Sequence, residues 1–208
     1  MGSGRVEIRM AKLFFIYSTM NSGKSLDLLK TAHNYESQGK KVLVFTSDKD
    51  TRYVKIHNGD TKGIIKTRIG LEREALLLER FLKKENYFQE IEKENYDCIL
   101  VDEAQFLHRQ AILALVEIVD KLKVPVICYG LKNDFQNHLF EGSETLLIFA
   151  DKLQEIKTVC TYCDRKATMN MRSLNGIPEF EGSQIQMGGN EAYAPVCRQC
   201  YLKRKYKY

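Results

Sequence analysis

The sequence predicts an α/β protein: a parallel sheet covered on both faces by helices, followed by a small domain clamped by a metal. Three stretches carry that reading. The apolar run Phe14 to Tyr17 feeds a small-residue loop, Ser18-Thr19-Met20-Asn21-Ser22-Gly23-Lys24-Ser25, which opens onto a helical pattern from Leu26 to Lys30. A second apolar run, Cys98-Ile99-Leu100-Val101, ends on the acid pair Asp102-Glu103. Two cysteine pairs, Cys160/Cys163 and Cys197/Cys200, lie beyond the last strand-and-helix pattern.

Strand, loop, Gly-Lys-Ser and helix in that order form a phosphate-binding loop. Successive backbone N–H groups curl round phosphate oxygens, and the helix N-terminus adds its partial positive charge. Lys24 is the cation for the terminal phosphates. Ser25 offers a hydroxyl to Mg²⁺, a hard ion that prefers oxygen. The first loop position, normally glycine, is Ser18 here, so a side chain stands where the backbone usually turns freely.

Taken in order, the helix after the loop is expected to run to about Ser37, with Gly39 as its stop. Lys41 to Thr46 reads as a buried strand, and the polar stretch Ser47 to Tyr53 leaves its carboxyl end, where open α/β sheets build sites. Asp50 and Arg52 lie in that stretch; Arg52 is equally consistent with a phosphate contact and an ordinary surface arginine. Residues from Leu71 to about Glu94, with Ala75, Leu76, Leu78, Phe81 and Leu82, predict one or two amphipathic helices. Next comes the acidic strand. Asp102 would hold Mg²⁺ through water, and Glu103 is placed to act on a hydroxyl or a water near the same metal. Arg109 to Lys121 predicts a helix, Val124 to Leu131 a buried strand, and Glu144 to Asp151 a short helix. The exit loop Lys132 to Gln136 carries Phe135, which with Phe140 could stack on a flat ring.

Composition narrows the class. At 208 residues, 44% hydrophobic and 28% charged, the chain is long enough for a large core, and its net charge of +5 is mild. No apolar run approaches the ~20 residues needed to span a bilayer, and Met1 to Arg5 lacks the apolar block of a signal peptide. A cytoplasmic setting is expected, with Met10 a candidate initiator. The expected division is a leader over 1–11, a nucleotide-binding domain over 12–151, and a metal-binding domain with a basic tail over 152–208. In a reducing compartment the two cysteine pairs read as a tetrahedral, structural Zn²⁺ site rather than disulfides. The 33 residues between the pairs form a sizeable loop. Cys98 and Cys128 read as buried thiols. His33, His57, His108 and His138 show no spacing pattern that assigns them chemistry.

From Lys12 to Cys200 the chain resembles the type II thymidine kinases, a family with a phosphate-loop domain of RecA-like fold and a zinc-held lasso. The resemblance rests on Met20 to Ser25, Asp50-Thr51-Arg52-Tyr53, Val101 to Phe106, Leu131 with Phe135-Gln136, and the cysteine pairs with Gly188-Gly189 and Tyr193 between them. It implies that ATP is the phosphate donor and thymidine the acceptor, with deoxyuridine also accepted, in deoxynucleoside salvage. Glu103 resembles the base for the 5′-hydroxyl. Ser18 to Ser25, Asp50, Arg52 and Arg172 fall at phosphate-binding positions, with Ser25 and Asp102 on the Mg²⁺ side. Met20, Phe106, Leu131, Phe135, Phe140, Asn170, Gly188, Gly189 and Tyr193 fall at nucleoside-binding positions. The lasso, 164–196, would close over the base. The family implies a homotetramer and inhibition by dTTP, and no nucleic-acid or membrane partner is expected. A DNA-stimulated ATPase would need a basic, aromatic surface that the sequence does not display. A non-catalytic zinc adaptor would not need an intact Lys24, Ser25, Asp102 and Glu103.

Overall fold

The computed structural model describes residues 11–49, 54–57, 60–184 and 193–207. Strand β1 (Leu13–Ser18) and helix α1 (Lys24–Glu36) flank the phosphate loop, and β2 (Val42–Thr46) follows. Then come β3 (Val54–His57), β4 (Asp60–Lys66), β5 (Glu72–Leu77), and the helices α2 (Leu78–Phe81) and α3 (Tyr87–Glu94). Strand β6 (Cys98–Val101) leads through a 3₁₀ turn, Ala104–Phe106, to α4 (Arg109–Leu122), β7 (Val126–Leu131), α5 (Glu141–Phe149) and β8 (Lys152–Glu155). The C-terminal part holds β9 (Met169–Leu174), β10 (Ile177–Glu179), β11 (Tyr193–Val196) and α6 (Arg198–Tyr206).

Eight strands form one sheet in the order β3-β4-β5-β2-β6-β7-β1-β8. From β5 to β8 every pairing is parallel, and β4 and β3 extend that edge antiparallel. This is the α/β phosphate-loop class expected, with β7 inserted between the phosphate-loop strand and the acidic strand. The sheet is buried on both faces because its strands alternate. Phe15, Phe45, Ile99 and Val101 pack with Ile112, Leu115 and Leu146 of α4 and α5 on one side. Ile16, Val44, Leu100 and Tyr129 pack with Leu28 and Ala32 of α1 on the other. Parallel register aligns Ser18 with Leu131 and Phe45 with Val101. The phosphate loop, the acid pair and the loop after β7 therefore all leave from the same, carboxyl, end of the sheet.

Two stretches differ from expectation. Residues 72–77, read as helix, are strand β5: Ala75 and Leu77 turn inward while Glu72 and Glu74 face solvent. Their apolar spacing suits either period, and pairing with β2 and β4 decides it. The stretch after Tyr53, for which no element is expected from sequence, contains the β3–β4 hairpin, whose register pairs His57 with Asp60; Asn58-Gly59 stands between them in the sequence. That dipeptide is the strongest short hairpin signal a sequence offers. Strand β8 continues the main sheet four residues past Asp151. Beyond it a small antiparallel sheet, β10-β9-β11, packs with α6 around Met171, Val196 and Tyr201.

Candidate active site

The phosphate loop is held by its own small side chains. Ser18 at the end of β1 is buried, and its Oγ donates to the Thr19 carbonyl at 2.8 Å. That same oxygen accepts from the Ser22 hydroxyl and, at 3.1 Å, from Lys24 Nζ. Lys24 Nζ also donates to the Thr19 carbonyl at 3.1 Å. The serine standing in for glycine thus becomes the loop's hub. Gly23 sits at φ +86°, a left-handed conformation that a side chain resists, at the mouth of α1. Thr19 Oγ1 is buried and has no hydrogen-bond partner among the described residues, an orphan of the kind that phosphate oxygens satisfy. Arg68, not singled out from sequence, donates to the Asn21 side chain from the turn between β4 and β5.

Across β7, the acid pair closes on this loop. Ser25 Oγ donates to Asp102 Oδ2 at 3.0 Å. The Glu103 N–H donates to Asp102 Oδ1 at 3.0 Å. Burial is the main reason the Asp102 carboxyl titrates far above the usual range, at about 7. The neighbouring Glu103 charge adds to this, while the Ser25 and Glu103 hydrogen bonds and Lys24 pull the other way. A hydroxyl and a carboxylate this close are the donor set that a hard divalent cation takes. Glu103 has φ +51°, uncommon for a residue with a side chain. Gln105 reaches back to it: its Nε2 donates to Glu103 Oε2 at 2.5 Å, and its Oε1 accepts from the Leu131 N–H at 3.0 Å. Sequence reading gave Gln105 no role, because both partners are fixed by the fold.

The C-terminal sheet is tied to the same edge. Asn170 is 2% exposed. Its Oδ1 accepts from the Met20 N–H at 2.8 Å, and its Nδ2 donates to the Asn133 carbonyl at 3.0 Å. Arg172 is buried, and its guanidinium lies 3.8 Å from the centre of the Phe135 ring. It donates to the carbonyls of Ser183 at 3.1 Å and Glu181 at 2.6 Å. Its Nε faces Glu179 Oε2 at 2.9 Å, off the line of a hydrogen bond. Tyr201 OH donates to the Phe135 carbonyl at 2.7 Å. Asp134, also unread from sequence, is 3% exposed; it accepts from the N–H groups of Gln136 and His138 and from the Gln184 amide. Phe106 and Phe140 meet edge to face at 5.6 Å, and Tyr193 pairs in register with Arg172. The Arg172 side chain is thus engaged by Phe135, Glu179, Glu181 and Ser183, which ties it to the loop after β7 and to the chain beyond β9. Asp50, Arg52, Gly188 and Gly189 lie outside the described residues.

The four site cysteines converge, with their sulfurs all within 4.8 Å of one another. Cys163 Sγ is 3.7 Å from the sulfurs of Cys197 and Cys200. A tetrahedron with Zn–S bonds of ~2.3 Å has edges of about 3.8 Å, so the set fits Zn²⁺. Backbone N–H groups of Tyr162 and Cys200 donate to Cys160 and Cys197 Sγ, each at 3.4 Å, the outer support expected of thiolate ligands. Among the described residues no helix is long and apolar enough to cross a membrane.

A family model described as thymidine kinase matches residues 11–201. The thymidine kinase of Streptococcus pyogenes serotype M28 is 52% identical over 193 residues, covering 93% of this chain and 98% of the relative. That of Lactobacillus johnsonii is 52% identical over 200 residues, covering 93% and 97%. Among solved structures, a Pif1 helicase from Candida albicans aligns with a TM-score of 0.40 at 15% identity, covering 71% of this chain and 36% of that one.

Proposed function

The chain belongs to the thymidine kinase family, and from that premise we propose how its residues divide the work of moving the γ-phosphoryl group of ATP to the 5′-hydroxyl of thymidine. The observation that carries the assignment is the 3.0 Å hydrogen bond from Ser25 to Asp102, which brings the phosphate loop and the acidic strand to one point. Ser18 to Ser25 hold the donor phosphates, and Lys24 exchanges its bonds to Ser18 and Thr19 for phosphate oxygens. Mg²⁺, when bound by Ser25 and Asp102, would neutralise charge on those phosphates. Glu103 takes the proton from the 5′-hydroxyl as its oxygen attacks the γ-phosphorus. The bond from phosphorus to the β,γ-bridging oxygen breaks, leaving ADP and dTMP. Little covalent help is needed in such a reaction, and positioning supplies most of the rate.

On the acceptor side, Met20, Phe106, Leu131, Phe135, Phe140 and Tyr193 form the nucleoside pocket, with Gly188 and Gly189 from the lasso. Asn170 is proposed beside the nucleoside and Arg172 near the phosphates on the family pattern; both also brace the pocket, Asn170 through Met20 and Asn133 and Arg172 against Phe135. Asp50 and Arg52 are proposed near the phosphates on the family pattern alone. Zn²⁺ holds the C-terminal domain and takes no part in the chemistry. The family pattern also supports a homotetramer, inhibition by dTTP, acceptance of deoxyuridine, a cytoplasmic setting and the division near residue 151.

Incubating the protein with Mg-ATP and a panel of nucleosides, with and without DNA, tests the reading. Thymidine phosphorylation unaffected by DNA is expected; ATP hydrolysis that needs DNA and spares every nucleoside would refute it. Glu103→Gln is expected to keep nucleotide binding and lose the ~10²–10⁴ in rate that one general base supplies. Unchanged turnover would remove Glu103 from that role.

A further inference from the structure

Glu103 stands on a turn that its own sequence does not favour. Its φ of +51° is a left-handed conformation in a residue with a side chain, and such backbone persists only where the surroundings over-determine it. The surroundings here are specific. Gly142 of α5 presses so close that a Cβ would stand 2.3 Å from the Ala104 carbonyl, 2.9 Å from that of Leu107 and 3.0 Å from that of Gln105. Gly130 of β7 presses from another side, where a Cβ would stand 2.8 Å from Gln105 Oε1 and 3.1 Å from Gln105 N. Between these contacts Gln105, 1% exposed, has both ends of its amide engaged. Nε2 is on the Glu103 carboxylate and Oε1 is on the Leu131 N–H. Leu131 is itself fixed by a 2.6 Å bond from Ser143 Oγ to its carbonyl.

We propose that Gln105 is the positioning residue of the proton-accepting carboxylate, locking Glu103 to the end of β7 so that its oxygens are presented in one orientation. An amide suits this task for two reasons. It has a donor at one end for a carboxylate and an acceptor at the other for a backbone N–H, and with no ionisable group it adds no charge beside Glu103. An amide bonded at both ends is held in its rotamer, and so restrains the carboxylate before substrate arrives. Leu131 belongs to the expected nucleoside pocket, so the lock ties the base to the wall of the site it serves. The inference rests on the reading of Glu103 as base, and its test separates the two.

The experiment is a double-mutant cycle on turnover with Mg-ATP and thymidine, using Gln105→Met, Glu103→Gln and the double variant. Nucleotide affinity and melting temperature are measured on each protein. Methionine keeps the volume and loses both hydrogen bonds. Gln105→Met is expected to lower kcat roughly 10- to 100-fold, less than the ~10²–10⁴ of the base itself, with nucleotide affinity held within about twofold. In the Glu103→Gln background the same change is expected to cost almost nothing further, because the group it positions is gone. Wild-type kcat in Gln105→Met, or losses that multiply in the double variant, would overturn the proposal. If Gln105→Met does not fold, Gln105→Glu decides: its protonated form reproduces both bonds, so its activity is expected to fall as pH rises, relative to wild type. A parallel pH profile would overturn the proposal. Should Glu103→Gln alone keep full turnover, it is the base assignment that fails.

Discussion

Asp102 is a buried carboxylate among hydrogen-bond donors, and burial outweighs them. Its folded pKa of about 7 lies above the ~3.9 of an unfolded aspartate. Between those values the folded chain binds more protons than the unfolded one, so stability falls as pH rises through the window and levels off above it. For the nucleotide-free protein, the urea midpoint is expected to drop between pH 5 and pH 8, and Asp102→Asn to shrink that drop. A drop of equal size in both proteins would count against the assignment. At this scale the sequence was legible wherever chemistry needs a residue type at fixed spacing: Gly23-Lys24-Ser25, Asp102-Glu103 and the cysteine pairs. Gln105, Asp134 and the bridging role of Asn170 were not legible. Their partners, Leu131, Gln184 and Met20, lie 26, 50 and 150 positions away.

Elements meet at the carboxyl edge of the sheet through a few close approaches. Helix α5 touches the turn carrying Glu103 where Gly142 has no side chain. Gly142→Ala is expected to push helix and turn apart, costing about 1–3 kcal/mol as overpacking does and lowering turnover with it, as melting and steady-state assays would reveal. Asn170 bridges β9, the phosphate loop and the chain after β7. Removing its amide in Asn170→Ala leaves two backbone groups unpaired, at roughly 1–3 kcal/mol of buried polar cost. A urea-unfolding series measures that loss, and a variant as stable as wild type would contradict it. Strand β5 explains why elements were harder to read than motifs. Ala75, Leu76, Leu78 and Phe81 satisfy a helical face as well as a strand, and only pairing with β2 and β4 settles the choice. The β3–β4 hairpin has a sequence signal in Asn58-Gly59, but the polar stretch before it, Ser47 to Tyr53, draws the reading towards a loop.

At the scale of the molecule, the proposed reaction draws on two sheets, one of eight strands and one of three. The large sheet presents the phosphate loop and the acids, and the cysteine-clamped domain leans on the loop after β7 through Arg172 and Tyr201. A tetrahedral thiolate site is worth roughly 10–16 kcal/mol of apparent binding in small peptides, ample to hold β9, β10 and β11 in register. The net charge of +5 is mild, in keeping with small phosphate-bearing substrates. The proposed division of labour predicts a split result when metal is stripped from the cysteine site and Mg²⁺ restored, with KM for thymidine and affinity for ATP measured on one preparation. The thymidine KM is expected to rise at least about tenfold, ~1.4 kcal/mol, while ATP affinity stays within about twofold. A fully zinc-free protein that phosphorylates thymidine with an unchanged KM would contradict the account.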